Sequence, residues 1–456
     1  MPDSASLTSN AQTATALLAN HLLAMRQSPQ PLEALTVAKQ CLLDWFGVTL
    51  AARREPLVEI LANEFAPIDE PSGCTLIGLG RRASRDHAVL INGAMGHALD
   101  FDDVIIIMGH PTAPVAPVVL AVSEELGASG AQALAAFIAG VEAECRVARL
   151  VGPSHYAAGW HGTATFGSFG AATAAAHLLA LDQEKLLHAL GLAGTQAAGL
   201  KSVFGTMSKP LHAGKAAQNG LLAARLAARG FTSDTDILGS RQGFAATQST
   251  TVNVRAAFAP RALPYVVDAL FKYHAACYLT HNTIEAANEL RGKAKFRAED
   301  VDSVTVRVQP VHMGVCNIEA PRTGLECKFS LRMTCSLALA GEDTFDDSLF
   351  CDATAARNDL VALQQRIKVE PTAPGRGSIV QVQLKDGRQL TCTADVAIPV
   401  RDLPSQQKKL EHKFRHLVRH VLHDRASERV TEILRNLEHE ANLDSLLRAC
   451  SEGLRA

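Results

Sequence analysis

Clustered cysteines are the first thing that this chain of 456 residues lacks. Its ten cysteines are scattered, and no two of them form a C-x-x-C pair. Structural zinc sites and iron–sulfur clusters normally need clustered thiolates, so both are disfavoured. Scattered cysteines in a large chain are typical of free, mostly buried thiols in a reducing compartment.

A surplus of charge of one sign is also missing. Forty-four basic and forty-six acidic residues leave a formal net charge of −2, and no basic stripe stands out. This balance argues against nucleic acid and anionic membranes as partners. The one positive run, residues 408–425, is interrupted by Glu411 and Asp424 and is typical of a solvated helix face.

Long apolar runs and targeting signals are absent as well. No stretch approaches the roughly 18 consecutive apolar residues that a membrane-spanning helix needs. The N-terminal segment has no basic region, and its first arginine is Arg26, so neither a secretory signal nor an arginine-rich transit peptide is expected. We therefore expect a cytoplasmic protein.

The spacing of apolar residues predicts two kinds of structure. The first roughly 260 residues have helical spacing and segments rich in Ala and Gly, which are typical of the buried centre of a helical bundle. Residues 303–309 and the two sides of Asp386-Gly387 alternate with period two, which predicts strands and a hairpin. The expected fold is mainly α with an α+β lid. A large all-helical domain of residues 1–263 and 396–456 is built from both chain ends, and a smaller α+β domain of residues 264–395 is inserted.

Four stretches concentrate polar residues among small or apolar neighbours. They contain Asp100, Asp102, Asp103 and His110; Tyr156 and His161; Lys209 and His212; and Lys272 and Cys277. Each group has an ordinary structural explanation, such as a helix cap, a core histidine, a helix-end lysine or an inert buried thiol. The aspartate cluster also fits a divalent-cation site or the base of a carbon-acid reaction. Taken singly, the residues leave these alternatives open.

Together, and in this order, the stretches resemble the MmgE/PrpD family of 2-methylcitrate dehydratases, cis-aconitate decarboxylases and iminodisuccinate epimerases. The resemblance covers nearly the whole chain. It rests on "HALDFDD…GHP", "GWHGTATFGSFGAA", "GTMSKPLHAGKAAQNGLLAARLAARGFT" and "TGLECKFS". The family fold is a helical domain made from both chain ends plus an α+β lid. The resemblance further implies a homodimer and a site that uses no metal and no other cofactor.

The resemblance also implies which residues form the site, in a cleft between the helical domain and the lid. The implied catalytic residues are Asp100, His110, His161, Lys209 and Lys272. The implied substrate-binding residues are Tyr156, His212, Cys277 and Lys328. Asp102 and Asp103 are expected to have structural, helix-capping roles.

The reactions of the family share one physical requirement: negative charge develops on a carbon beside a carboxylate and must meet preorganised positive groups. Lysines such as Lys209 and Lys272 fit this need for a di- or tricarboxylate substrate. The imidazoles of His110 and His161 suit general acid–base catalysis. Partial burial beside Trp160 is expected to tune the pKa of His161 toward neutrality.

Two departures from the family pattern bear on the reaction. Val104 stands where cis-aconitate decarboxylases have a threonine, and Cys277 stands where they have a histidine, which makes decarboxylation less expected. The leading expectation is a metal-independent lyase, similar to 2-methylcitrate dehydratase, that eliminates water from a hydroxylated di- or tricarboxylate. The alternative is a racemase or epimerase of a dicarboxylate such as iminodisuccinate. A decarboxylase and a non-catalytic carboxylate-binding relative are less expected.

Overall fold

The structure is a computed structural model that describes residues 13–372 and 377–455. The chain forms two compact units, and its fold is mainly α with a small α+β part. The first unit contains the described residues up to Ala269 and from Val418 onward, and the second runs from Leu270 to Leu417. Within the described ranges, no helix combines the length and apolar character needed to cross a membrane.

Among its described residues, the regular structure of the first unit is helical apart from one short antiparallel hairpin. Its helices are α1 (Ala14–Gln27), α2 (Leu32–Ala51), α3 (Pro56–Phe65), α4 (Arg85–Gly96), α5 (Thr112–Leu126), α6 (Gly130–Ala157), α7 (Gly162–Leu178), α8 (Gln183–Gln196), α9 (Ser208–Ala228), α10 (Phe244–Gln248) and α11 (Val254–Ala257). The hairpin pairs β1 (Cys74–Leu76) with β2 (Arg81–Ala83).

Helix α7 forms the centre of the first unit. Every residue from Gly162 to Ala176 is buried, which is the pattern of a helix covered on all sides. Small residues allow its neighbours to come close, since a Cβ at Gly220 of α9 would lie 2.5 Å from the Cβ of Ala171. The sequence "GTATFGSFGAATAAA" therefore folds as the buried helix that its composition predicts.

Helices α4 and α9 cross with their backbones in contact. A Cβ at Gly214 of α9 would lie 2.2 Å from the carbonyl oxygen of Leu90 in α4, and one at Gly93 would lie 2.8 Å from the Cα of Gly214. This close crossing holds the C-terminal end of α4 beside the N-terminal turns of α9. Both ends carry polar residues of the candidate site.

The second unit contains a four-stranded sheet and several helices. The strands are β3 (Val301–Val308), β4 (Ile367–Pro371), β5 (Ser378–Leu384) and β6 (Gln389–Ala394), and the sheet order is β4-β3-β5-β6. The helices are α12 (Tyr278–Ala294), α13 (Pro310–Cys316), α14 (Gly324–Lys328), α15 (Leu331–Ala340), α16 (Asp352–Ala355), α17 (Asn358–Gln364) and α18 (Leu403–Val418). Strand β3 is parallel to β4 and antiparallel to β5. Strands β5 and β6 form the antiparallel hairpin predicted at Asp386-Gly387, where Gly387 has φ of 91°.

The core of the second unit lies between the sheet and two helices. Alternate valines of β3 and β5, such as Val306 and Val382, are buried in one apolar cluster with Ile284 of α12 and Cys335 of α15. This alternation is the feature that the period-two pattern predicts. All ten cysteines of the chain are free thiols, and seven of them are buried.

Helix α18 lies in the second unit almost to its end, so the boundary falls at residue 417 rather than at 395. Lys409 of α18 lies 2.9 Å from Glu285 of α12, and His412 lies 3.0 Å from Asp343. The apolar periodicity of the sequence predicts helix α18 but not the unit to which it belongs. The contacts that join α18 to the second unit are between polar side chains, which this periodicity does not report. After α18, α19 (Asp424–Arg435) and α20 (Asp444–Glu452) belong to the first unit.

Candidate active site

The segment that connects α4 to α5, residues 97–111, carries most of the polar groups of the site. Asp100 has φ of 49°, a left-handed conformation that Asp adopts more readily than most residues. Gly109 has φ of 112°, and a Cβ there would lie 2.7 Å from Oγ1 of Thr163. The same Oγ1 accepts a hydrogen bond of 3.1 Å from the backbone N–H of His110. The "GHP" sequence thus permits the close turn that positions His110.

Asp102 lies between the imidazoles of His97 and His110 and contacts both rings. Its Oδ1 lies 2.9 Å from Nδ1 of His97, within hydrogen-bond distance. Its Oδ2 lies 3.1 Å from Nδ1 of His110, at ion-pair distance but without good hydrogen-bond alignment. The rings of His97 and His110 are 4.4 Å apart at their centroids. A single carboxylate therefore orients two potential proton carriers.

Burial and charge set the ionisation of this trio. Burial alone would raise the pKa of Asp102, but His110 and His97 together hold it well below its usual range. Burial lowers the pKa of His97 to about 4, despite the opposite effect of Asp102. At neutral pH, Asp102 is therefore a carboxylate and His97 a neutral ring that donates its Nδ1–H to it.

Asp100 and Lys209 form an ion pair on the more open side of His110. Lys209 Nζ lies 2.8 Å from Oδ1 of Asp100, whose side chain is 55% exposed. His110 Nε2 lies 3.4 Å from the same oxygen. Lys209 comes from the first turn of α9 and also lies over the ring of Phe204, 5.5 Å from its centroid. Cation, carboxylate and imidazole thus meet at one position.

His161 and His212 form a second pair of imidazoles. Their Nδ1 atoms lie 3.1 Å apart, a hydrogen-bond distance, and the ring of His161 packs edge-on against Phe204. Burial, reinforced by neighbouring imidazoles and Lys209, lowers the pKa of His161 to about 2. The expectation of a pKa near neutrality was therefore wrong, because the ring is almost fully enclosed rather than partly buried. Burial also lowers the pKa of His212.

A cavity of about 730 Å³ opens beside His161 in the first unit. Its wall includes Tyr156, which was predicted to bind substrate, and Arg149, which sequence reasoning did not identify. Most of the remaining wall is apolar, as in Ile106, Met108 and Phe166. Tyr156 is half-exposed, and Lys201 Nζ lies 3.6 Å from the centroid of its ring. The cavity can enclose a small molecule with a charged end and an apolar body.

The other predicted site residues belong to the second unit. Lys272 is buried in the segment that precedes α12, and Cys277 is the N-cap residue of that helix. The backbone N–H of Cys277 donates to the carbonyl oxygen of Lys328 at 3.0 Å. The ammonium of Lys328 pairs with Asp347. Asp100, His110, His161, Lys209 and His212 thus lie together in the first unit, whereas Lys272, Cys277 and Lys328 belong to the second unit.

The helix-capping role expected of Asp102 and Asp103 is wrong. The N-cap residue of α5 is Pro111, whose side chain makes no capping hydrogen bond. Asp103 instead accepts a hydrogen bond of 2.8 Å from the hydroxyl of Thr112. Burial, followed by the nearby Asp102 and Asp44, raises the pKa of Asp103 well above its usual range.

Sequence reasoning missed His97, the position of Asp102 between His97 and His110, and the contact of Thr163 with His110. His97 stands in the "HALDFDD" stretch, where it is the C-cap residue of α4. The sequence did carry a signal for this contact. His97 stands at the end of a buried helix, five residues before Asp102. That spacing alone did not distinguish a contact from a coincidence, because the residues between them have no regular secondary structure.

The same groups include the donor types that bind metal ions. One ligand atom from each of His97, Asp100, Asp102 and His110 lies within 4.8 Å of the others. The donor set fits a divalent cation poorly, because Lys209 already places a positive charge 2.8 Å from Asp100. Imidazoles held beside a carboxylate and a lysine are better suited to transferring a proton next to a bound anion. The arrangement is therefore typical of a site for acid–base chemistry.

Comparison with known protein families identifies the family of this chain. The model of the MmgE/PrpD N-terminal domain matches residues 16–256, and that of the MmgE/PrpD C-terminal domain matches residues 274–439. Together they cover most of the chain, which therefore belongs to the MmgE/PrpD family.

Curated relatives match over most of their length. The chain is 26% identical to cis-aconitate decarboxylase of Aspergillus terreus, with 91% of both chains covered. It is 28% identical to cis-aconitate decarboxylase of Homo sapiens, with 77% of this chain and 76% of the relative covered. A cis-aconitate decarboxylase-like protein of Aspergillus oryzae is 27% identical, with 95% and 96% covered. At the level of the family, these matches support a lyase-type enzyme.

Proposed function

We propose that this protein is a lyase that eliminates water from a small hydroxylated di- or tricarboxylate without using a metal ion. The observation that carries the proposal is the bridge of Asp102 between His97 and His110, with the Asp100–Lys209 pair beside it. This cluster combines a proton carrier with a cation. Both are needed when negative charge develops on a carbon beside a carboxylate.

His110 is the group that moves the proton. Its Nδ1 lies 3.1 Å from the ionised Asp102, which stabilises the imidazolium that forms when Nε2 takes a proton from carbon. The electron pair of the carbon–hydrogen bond becomes the new carbon–carbon double bond, and the carbon–oxygen bond breaks with its pair. The imidazolium then returns the proton to the departing hydroxide, which leaves as water.

Lys209 supplies charge stabilisation. Its ammonium, 2.8 Å from the half-exposed Asp100, can also meet a substrate carboxylate that approaches from the open side. As charge spreads from carbon into that carboxylate, the attraction to the fixed cation grows, which lowers the barrier. Arg149 in the cavity wall offers a second cation for a second carboxylate.

His161 contributes as a neutral hydrogen-bonding group. With a pKa of about 2 it does not act as an imidazolium acid, which changes the role that the family resemblance implied. It lines the cavity of about 730 Å³ and bonds to His212, so it can position a substrate oxygen there.

Decarboxylation is the second candidate, and it is favoured by the names of the matched relatives. In that reaction, loss of CO₂ leaves the electron pair on carbon, and an acid such as protonated His110 quenches it. The same His110 and Lys209 serve both reactions. The replacement of two polar partners by Val104 and Cys277 is the reason that elimination of water is placed first.

The test is a panel of hydroxylated di- and tricarboxylates, with cis-aconitate included, incubated with enzyme in D₂O and followed by NMR. Elimination gives new vinyl signals, and decarboxylation gives labelled CO₂ from a ¹³C-carboxylate together with deuterium on the neighbouring carbon. Exchange of the α-hydrogen without a new skeleton would identify an epimerase. If no substrate reacts or exchanges while one binds, the proposal fails in favour of a carboxylate-binding protein.

A further inference from the structure

A second cluster of histidines and a carboxylate lies within the second unit. His412 and His416 are one helical turn apart on α18, and the Nε2 atoms of both lie 3.0 Å from Oδ2 of Asp343. The three ligand-type atoms lie within 4.8 Å of one another. Histidines at positions i and i+4 of a helix face the same side and are a common basis for a zinc site.

Each of the three side chains is oriented by a further contact. Asp343 Oδ1 accepts a hydrogen bond of 3.2 Å from the backbone N–H of Phe345, which leaves Oδ2 turned toward the imidazoles. The ring of Phe345 packs edge-on against His412, with centroids 4.9 Å apart. His416 Nδ1 lies 3.2 Å from the carbonyl oxygen of His412. Such supporting contacts are typical of the groups behind metal ligands.

The contact between His416 and the carbonyl oxygen determines which nitrogen carries hydrogen. A carbonyl oxygen can only accept, so Nδ1 of His416 is the donor. In the neutral ring, Nε2 then presents a lone pair, and it does so 3.0 Å from a carboxylate oxygen of Asp343. Two electron-rich atoms at that distance repel each other unless a positive charge is shared between them.

We propose that Asp343, His412 and His416 bind a transition-metal dication, for which Zn²⁺ is the probe of choice. Two imidazoles and one carboxylate supply three ligands, and water completes a four-coordinate site. The side chains are 40%, 41% and 23% exposed in that order, so the ion can exchange with solvent. The ion would join α18 to the segment that follows α15, and binding only to the folded state would stabilise the second unit.

The experiment uses the full-length, tag-free protein after removal of metal ions. Zn²⁺ is titrated by calorimetry, and the thermal unfolding temperature is measured with and without Zn²⁺. His416→Ala removes a ligand, and Asp343→Asn keeps the shape of the carboxylate while removing its charge. His420→Ala, on an exposed residue four positions beyond His416, is the matched control.

Wild type and His420→Ala are expected to bind one equivalent of Zn²⁺ at this site and to unfold at a higher temperature in its presence. His416→Ala and Asp343→Asn should bind that equivalent at least about tenfold more weakly and lose the thermal shift. Equal stoichiometry and affinity in wild type and His416→Ala would overturn the proposal. The proposal would also be overturned if His110→Ala lost the bound Zn²⁺ while His416→Ala kept it. The ion would then lie in the candidate active site. Absence of binding by wild type at mildly alkaline pH would identify a simple ion pair of protonated imidazoles with Asp343.

Discussion

Asp102 and Asp103 are adjacent and fully buried, yet their surroundings shift their pKa values in opposite directions. Asp102 faces His97 and His110, which favour its charged form. Asp103 faces Asp44 and Asp102, which disfavour its charged form. The surroundings therefore favour the carboxylate form of Asp102 and the neutral acid form of Asp103.

Asp102→Asn and Asp103→Asn are accordingly expected to differ in effect, although the chemical change is the same. Asp102→Asn removes the charge that orients His110 and stabilises its imidazolium. We expect turnover to fall by about 10²-fold or more with little change in KM. Asp103→Asn replaces a group whose surroundings already favour its neutral form, so this variant should leave turnover within a few-fold of wild type. Steady-state kinetics on both folded variants decides this, and equal losses would show that Asp102 has no special role.

Glu142 and Glu144 of α6 also have pKa values that shift in opposite directions, and here the shifts bear on the stability of the fold. Glu144 is fully buried and, among the described residues, neither of its carboxylate oxygens has a hydrogen-bond partner. Burial raises its pKa well above the usual range. Burial also acts on Glu142, but contacts with His21, Arg146 and the N–H of Tyr265 together lower the pKa of Glu142.

The two pKa shifts predict opposite effects of pH. A group such as Glu144, whose pKa is higher in the folded than in the unfolded protein, contributes stability that is fully present below its unfolded-state pKa. This contribution is lost as the pH rises through its folded-state pKa. We therefore expect Glu144→Gln to be more stable than wild type at about pH 8, with a smaller difference at about pH 5. Glu142 has a lower pKa in the folded than in the unfolded protein, so it contributes stability above its unfolded-state pKa. Glu142→Gln should therefore be less stable than wild type at about pH 8. Urea unfolding at both pH values measures this, and the same sign for both variants at the higher pH would contradict it.

At the scale of helices and strands, much of the structure follows from local pattern. The hairpin at Asp386-Gly387 and the buried helix α7 were predicted from period and composition, and both are present. The bridge formed by Asp102 was not predicted, because it depends on the path of a loop between two helices. The enclosure of His161 was underestimated for the same reason, since its neighbours come from distant parts of the chain.

The crossing of α4 and α9 predicts a sharp difference between two glycines. Gly214→Ala places a Cβ against the backbone of Leu90, which is not free to move, and should destabilise the protein by about 1–3 kcal/mol or more. Because Lys209 lies on α9, turnover should also fall. Gly292→Ala in α12 is the control, since a Cβ there has no atom of the described residues within 4 Å and its φ is not positive. That variant should be neutral or stabilised by up to about 1 kcal/mol. Chemical unfolding distinguishes them, and unchanged stability of Gly214→Ala would mean that the helices separate easily.

At the scale of the whole molecule, the proposed function predicts how the enzyme responds to chelation. Lys209 supplies charge where a metal-dependent lyase would place its ion, so exhaustive chelation should leave turnover within about a factor of two. Chelation should lower the unfolding temperature if Zn²⁺ occupies the cluster of Asp343, His412 and His416. The two readouts are separate, because Asp343, His412 and His416 are not among the residues of the candidate active site. Loss of turnover that Mg²⁺ or Mn²⁺ restores would make His97, Asp100, Asp102 and His110 a metal site.

The family resemblance also implies a homodimer, which we retain as a proposal. Light scattering coupled to size-exclusion chromatography should give twice the mass of the chain at micromolar concentration. A mass equal to that of one chain would contradict the proposal.

The contact between His161 and His212 has a consequence for how the site presents hydrogen to a ligand. One hydrogen lies between two Nδ1 atoms 3.1 Å apart, so the two neutral rings cannot choose their tautomers independently. The ring that donates at Nδ1 has a bare outer nitrogen, and the other ring has a hydrogen on its outer nitrogen. If the shared hydrogen crosses from one ring to the other, the receiving ring must release the hydrogen on its outer nitrogen and the donating ring must gain one on its own. The outer nitrogens then exchange roles as acceptor and donor. The pair can therefore reverse its polarity toward a bound oxygen while its total charge stays zero.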